Sequence, residues 1–244
     1  MATVTLNRPT ARNALSNALM LGLTRCAREL ASRSEIDVVI LSGANGVFTA
    51  GADLKDARRW ADDSLPELER REIAATGYRL CKAWEELPQM SIVAIEGYAV
   101  GGGLALSLAC DWRVLAEDAF VSLPEIALGI PLTWGTIPRM VNLLGPAKAK
   151  RLTILCERIA AAEALQLGVV DYLAPSGGAL AKAQALAAQV LALPQIAVRM
   201  SKESINAQAT ALNHLGGHMA HDQIQLAAGS AASRAAREGA LKKR

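Results

Sequence analysis

The chain has 244 residues, enough for one large domain or one domain with a sizeable appendage. Apolar residues make up 52% of it, with alanine and leucine prominent, so a large helix-rich core can be buried. The net charge of +3, with acids and bases mixed along the chain, gives no footprint for nucleic acid, and no apolar run reaches the length of a membrane span.

The opening residues lack the basic segment and long apolar stretch of a secretion signal, so a cytoplasmic location is expected. Residues 4–6 alternate and run into Asn7-Arg8-Pro9, a strand ending in a turn. Leu15, Leu19, Leu23, Cys26, Ala27 and Leu30 recur at helical spacing, which predicts an amphipathic helix over 16–32. Residues 36–41 are apolar and rich in β-branched side chains, the pattern of a strand buried on both faces. Strand, helix and buried strand in that order indicate an α/β protein. A glycine-punctuated loop follows over 44–54, then a charged stretch with helical character over 55–84. Its Arg58, Arg59, Glu67, Glu69, Arg70, Arg71 and Glu72 read as a solvated face.

Residues 92–95 form a second buried strand, a second glycine loop spans 97–103, and 104–110 read as a buried helix. Short strands are expected at 112–115 and Phe120–Ser122. From Pro146 the pattern turns helical, over 147–155 and 160–167, with a strand at 169–173. Pro175-Ser176-Gly177-Gly178 is the best break in the chain. It divides an α/β core, residues 1–177, from a helical C-terminal part, residues 178–244, with helices expected over 179–193, 195–208 and 212–228. Cys26, Cys81, Cys110 and Cys156 form no C-x-x-C pair and read as reduced, buried thiols.

Two glycine loops each follow a buried strand. Glycine lets backbone N–H groups approach a ligand closely. In the second loop the glycines open a helix, where N–H groups lack partners and the dipole favours negative charge. A plain strand-to-helix connection explains that loop equally well. Gly97, Gly101, Gly102 and Gly103 do not make a dinucleotide fingerprint, and the chain has neither a phosphate loop nor a G-x-S-x-G elbow. The only histidines, His214, His218 and His221, share a helix face by spacing. A metal site there is conceivable, but a surface or subunit contact is the simpler reading. They lie far in sequence from the glycine loops, which argues against a Ser–His or Cys–His couple. Asp53 and Asp111 stand at turns, where an aspartate commonly caps or anchors. Glu125 is different, because it stands in an otherwise apolar stretch. A carboxylate there must be hydrogen-bonded, paired, or working with a raised pKa.

Taken together, several segments resemble the enoyl-CoA hydratase/isomerase (crotonase) superfamily. They are Asn7-Arg8-Pro9 with Asn13-Ala14-Leu15, Phe48-Thr49-Ala50-Gly51-Ala52-Asp53-Leu54, Gly97-Tyr98-Ala99-Val100-Gly101-Gly102-Gly103, Cys110-Asp111, and Pro124-Glu125-Ile126 with Leu128-Gly129, and residues 165–168 leading into Val169-Val170. They come in family order across nearly the whole chain. The resemblance implies a crotonase-like α/β spiral of ββα units with a C-terminal helical trimerisation segment, as a homotrimer or dimer of trimers. It implies an acyl-CoA thioester as ligand, with coenzyme A arriving on the substrate and no metal or other cofactor. It places an oxyanion hole at the backbone N–H groups of Ala52 and Gly102 and an acid/base at Glu125. It also places Arg12, Ala14, Ala50, Asp53, Leu54, Lys55 and Gly101 along the substrate, with Lys55 and Arg12 near the nucleotide end; Trp134, in a stretch that departs from the family pattern, is expected to narrow the acyl pocket.

The departures from the family pattern direct the functional reading. Family hydratases hold a water between two glutamates. The first would fall two residues after Gly103, where this chain has Ala105; the second matches Glu125. One glutamate at the Glu125 position resembles the enoyl-CoA isomerases, in which a single carboxylate moves a proton between carbons 2 and 4. The alternatives are a hydratase with a replacement acid/base, with Glu67, Glu69 and Glu72 as candidates, and a non-catalytic acyl-CoA-binding protein. No acid lies between Glu125 and Glu157, so an aspartate nucleophile has no candidate there. Pro131-Leu132-Thr133-Trp134-Gly135-Thr136 replaces a commonly glycine-rich stretch. Relatives also carry a further strand before residues 4–6 and an aromatic residue near Leu241. Both are missing here, so a barer sheet edge is expected, and a contact with CoA or another subunit is in question.

Overall fold

The computed structural model describes residues 1–56, 64–213 and 220–242, apart from the side chains of His221, Ala228 and Leu241. Five strands form one all-parallel sheet: β1 (Ala2–Leu6), β2 (Val38–Gly43), β3 (Met90–Ile95), β5 (Trp112–Ala116) and β8 (Tyr172–Ala174), in the order β1-β2-β3-β5-β8. Ile40 pairs with Ile92 and Ile92 with Trp112, so the three central strands are in register. The inner strands read as near-continuous apolar runs, interrupted by Ser91 and Arg113, because both faces of the sheet are covered.

Alternate residues go to opposite faces. Val39, Leu41, Val93, Ile95 and Leu115 join one core with Leu80 and Trp84 of α2 (Glu67–Glu85) and Met20, Leu23 and Ala27 of α1 (Asn17–Ala31). Val38, Ile40, Ile92, Ala94 and Val114 join a second core with Ala183, Leu186, Ala187 and Val190 of α6 (Ala179–Leu191). Residue 177 therefore marks where the strands end, whereas the packing on the sheet continues through α6.

A smaller sheet lies beside the first. β4 (Tyr98–Val100) pairs in parallel with β6 (Phe120–Ser122), and β6 pairs antiparallel with β7 (Arg158–Ala160). At β4 and at β6 the chain leaves a strand of the large sheet, turns, and adds a strand to the small one, whereas β7 follows the helix Thr136–Leu155. After β3 and β4 it enters α3 (Gly102–Ser107). This is the ββα unit that the resemblance implied.

Differences from the sequence reading are local. The helix expected at 147–155 is the second half of α4 (Thr136–Leu155), which breaks at Gly145 (φ 75°, ψ 165°) before Pro146. Its first half, over 136–144, has no counterpart among the expected elements; it starts behind Gly135 and carries Pro138. Pro138 stands in the first turn, where no intrahelical donor is lost. The three-residue strands β4 and β7 are too short to show a period. β7 leads directly into α5 (Ala161–Leu167).

After α6 come α7 (Gln195–Ala209), α8 (Ala220–Ala228) and α9 (Ala231–Lys242). α8 packs on α2, and α9 touches the 3-10 turn Ile126–Leu128. Arg58, Arg59, His214, His218 and the side chain of His221 lie outside the described residues, and so does the metal site considered for the histidines. Cys81 and Cys110 are buried, and burial pushes both thiols up to about 12, while Cys26 and Cys156 are only half-buried. No described helix is long and apolar enough to cross a membrane.

Candidate functional site

The site is assembled from two loops and a turn. The first loop is tied to the N-terminal segment by Asn13, which is fully buried. Its Oδ1 accepts from Arg8 N–H at 2.8 Å, and its Nδ2 donates to Ala44 O at 3.0 Å and Val47 O at 2.8 Å. Thr49 Oγ1 donates to Asn13 O at 2.7 Å and accepts from Gly51 N–H at 3.1 Å. Arg8 also reaches across to Asp53 at 3.1 Å. Asn13→Ala would leave three backbone groups without this partner, each worth about 1–3 kcal/mol if unsatisfied. The expected result is a loss of at least about 2 kcal/mol in denaturant unfolding. A loss below about 0.5 kcal/mol would contradict this role for Asn13.

Leu15 N–H donates to Gly51 O at 2.8 Å, and Asp53 N–H donates to Leu15 O at 3.1 Å. In this one-residue parallel bridge the flanking groups are used, so Ala52 turns its own N–H away from Leu15. Gly51 (φ +83°) lies against the second loop: a β-carbon on it would come within 2.3 Å of Val100 O and 3.4 Å of Gly102 N. Gly102 is the first residue of α3, where an N–H has no intrahelical partner. Among the described residues, no backbone carbonyl accepts from Ala52 N–H or Gly102 N–H.

Glu125 opens the 3-10 turn Ile126–Leu128, and its carbonyl accepts from Leu128 N–H at 3.0 Å and Ile130 N–H at 3.1 Å. Its carboxylate lies over Gly101, where a β-carbon would sit 2.6 Å from Oε1. Gly101 has φ +53° and ψ −120°, a conformation that glycine alone adopts readily. Oε2 is shielded from solvent and has no hydrogen-bond partner among the described residues. Burial pushes the Glu125 carboxyl up to about 7, against the opposing pull of its own backbone N–H.

Ala52, Gly102, Ala105 and Glu125 line one pocket together with Leu132, Thr133, Trp134, Thr136 and Ile224. Its volume is about 30 Å³, room for a water or two and not for an acyl group. No second carboxylate lines it among the described residues. Glu72 pairs with Arg79 on the surface, and neither Glu67 nor Glu69 reaches the pocket.

A sequence profile described as enoyl-CoA hydratase/isomerase matches residues 1–242. The chain belongs to this family. It is 39% identical over 207 residues to the protein YngF of Bacillus subtilis, covering 84% of this chain and 78% of that one. It is 32% identical over 207 residues to a short-chain-enoyl-CoA hydratase of Clostridium acetobutylicum, covering 84% of this chain and 77% of that one. The crystal structure of an enoyl-CoA hydratase from Mycobacterium avium subsp. paratuberculosis superposes with a TM-score of 0.88 at 26% identity, covering 99% of this chain and 92% of that one. The fold is that of the crotonase superfamily, and the chain is an enzyme of that superfamily.

The remaining residues named from the family resemblance lie on the two adjoining loops, outside the pocket. Ala50 N–H donates to Arg12 O at 3.1 Å and so joins them. Arg12 (φ +52°) and Lys55 are exposed, Leu54 and Ala50 are half-buried, and Ala14 is buried. Asp53 is engaged locally, by Arg8 through Oδ2 and by Lys55 N–H through Oδ1 at 3.0 Å. Asp111 is likewise an anchor, bound by Ser91 N–H at 2.7 Å and Lys202 Nζ at 2.6 Å. Sequence reasoning missed Ile224, which α8 brings to the pocket from about 100 residues after Glu125. It also missed Gly77. An isolated glycine inside a helical stretch costs about 1 kcal/mol against alanine and commonly has a packing reason.

Proposed function

We propose that this chain is an enoyl-CoA isomerase that moves a double bond between the 2,3 and 3,4 positions of an acyl-CoA thioester. The observation that carries this reading is the single unpartnered carboxylate, Glu125, in a pocket where the hydratase partner is replaced by Ala105. The thioester oxygen accepts from Ala52 N–H and Gly102 N–H. Glu125 takes the proton from carbon 2 of a 3-enoyl thioester. The electron pair moves onto the carbonyl oxygen, giving a dienolate. Glu125 then returns the proton to carbon 4, and the double bond comes to lie between carbons 2 and 3. One base serves both steps, so neither a second carboxylate nor a cofactor is required. Two aimed donors stabilise the charge that collects on the oxygen, each worth about 3–4 kcal/mol. Arg12 and Lys55 serve the nucleotide end of coenzyme A.

The base works ionised, and its proton affinity is raised to about 7. Activity should therefore rise about tenfold per pH unit below that value and level off above it. A kcat/KM profile that is flat from about pH 5 to 9 would contradict Glu125 as the base.

The test of the reading is a panel of 2-enoyl-, 3-enoyl- and 3-hydroxyacyl-CoA esters followed by mass spectrometry and chromatography. The expected result is interconversion of the two enoyl isomers without a 3-hydroxyacyl product. The second reading, hydration, rests on the Clostridium relative's name and would show rapid 3-hydroxyacyl formation. We also propose assembly as a homotrimer or dimer of trimers, supported by the exposed apolar residues Ile196, Met200 and Ile205 on α7.

A further inference from the structure

Trp134 is the pocket's largest wall, and its indole is almost fully enclosed. The ring lies between two glycines from different helices. A β-carbon on Gly77 in α2 would come within 1.9 Å of the ring, and one on Gly102 within 2.4 Å. Gly77 thus has its packing reason: any larger residue would displace the indole.

The backbone here is held as firmly as the ring. Trp134 has φ +62° and Gly135 φ +70°. A left-handed conformation in a bulky aromatic residue is strained and persists only where its surroundings enforce it. The enforcing group is Arg139 of α4, whose Nη1 donates to Trp134 O at 2.9 Å. Glu85 grips the same guanidinium with both oxygens, at 2.7 and 2.8 Å. Arg139 is 6% exposed, so this is an interior strut of bidentate, charge-assisted bonds.

Ile224 adds a wall from the C-terminal helices. Ile224 comes from α8, which is joined to α2 by the largely exposed Arg71–Asp222 pair at 2.8 Å. Such a pair is worth about 0–1 kcal/mol.

We propose that Trp134 is the fixed end wall of the acyl site and restricts this enzyme to short acyl-CoA thioesters, of about four carbons. The inference rests on the proposed function for one point, that the thioester oxygen binds at Gly102 N–H. The indole touches Gly102, so an acyl chain meets the ring within a few carbon atoms of its carbonyl. It does not depend on which proton transfer follows.

The experiment compares wild type, Trp134→Ala and Trp134→Leu on 3-enoyl-CoA esters with four-, eight- and twelve-carbon acyl chains. In parallel, calorimetry measures the Kd of the saturated esters of the same lengths. Wild type should favour the four-carbon over the twelve-carbon ester by at least about 100-fold in kcat/KM. Trp134→Ala should narrow that gap by at least about tenfold, with Trp134→Leu in between. Trp134→Leu carries the test if the alanine variant does not fold, as judged by circular dichroism. A flat chain-length profile in wild type, or an unchanged gap in a folded variant, overturns the inference and leaves the isomerase reading standing. If no ester is turned over but the Kd values show a length gap that the variants narrow, the isomerase reading fails and the wall stands. Equal Kd values across the lengths with no turnover sink both.

Discussion

Replacing Glu125 by glutamine should lower kcat by about 10²–10⁴-fold while the Kd for a saturated acyl-CoA stays within about threefold. Glutamine keeps the shape and fits the same space over Gly101, but it cannot take a proton. Among the described residues, the site offers nothing to stand in. Ala105 lies where a second carboxylate would have to be, and the polar side chains lining the pocket beside Glu125 are Thr133 and Thr136. Thr136 Oγ1 already donates to Thr133 O at 2.6 Å. A hydroxyl at ordinary pKa is a poor base at neutral pH, so residual activity should be small. Turnover in Glu125→Gln equal to wild type would remove Glu125 from the mechanism. Loss of binding together with turnover would mean that the carboxylate holds the site together.

Gly51→Ala should be nearly as damaging by another route. Gly51 holds a positive φ that a side chain strains, and its new β-carbon would press within 2.3 Å of Val100 O. That contact joins the loop bearing Ala52 to the loop bearing Gly102. Pushing them apart separates the two N–H groups proposed to bind one oxygen. A displacement of about 1 Å can cost about 10²-fold in rate, and losing one oxyanion donor costs about 10²–10³-fold. The expected loss is in kcat, measured on a variant whose circular dichroism matches wild type. A folded Gly51→Ala with unchanged kcat would argue that the two N–H groups do not act together.

Some of this was open to reading in the chain and some was not, for physical reasons. The strands at 36–41 and 92–95 were legible because burial on both faces leaves unbroken β-branched runs. Glu125 was legible because a carboxylate in an apolar stretch needs an explanation. The break at Gly145-Pro146 hid the first half of α4, since local breakers cannot show that a helix resumes across them. The Trp134 clamp was not legible at all. Gly77, Glu85, Gly102 and Arg139 are spread over about 60 residues, and only the fold makes them neighbours. Ile224 reaches the pocket by the same kind of long-range closure. Asn13 stood in a recognised segment, but its three bonds across the loops are a tertiary property.

The most direct test of a single-carboxylate isomerase is turnover in oxygen-18 water. Purified enzyme is given a 3-enoyl-CoA and, separately, its 2-enoyl isomer, and the products are weighed by mass spectrometry. One base with no partner should equilibrate the two isomers without gain of the heavy oxygen. Rapid formation of a 3-hydroxyacyl-CoA carrying oxygen-18 would contradict the account, because it requires a water activated in a pocket where Glu125 has no partner carboxylate among the described residues.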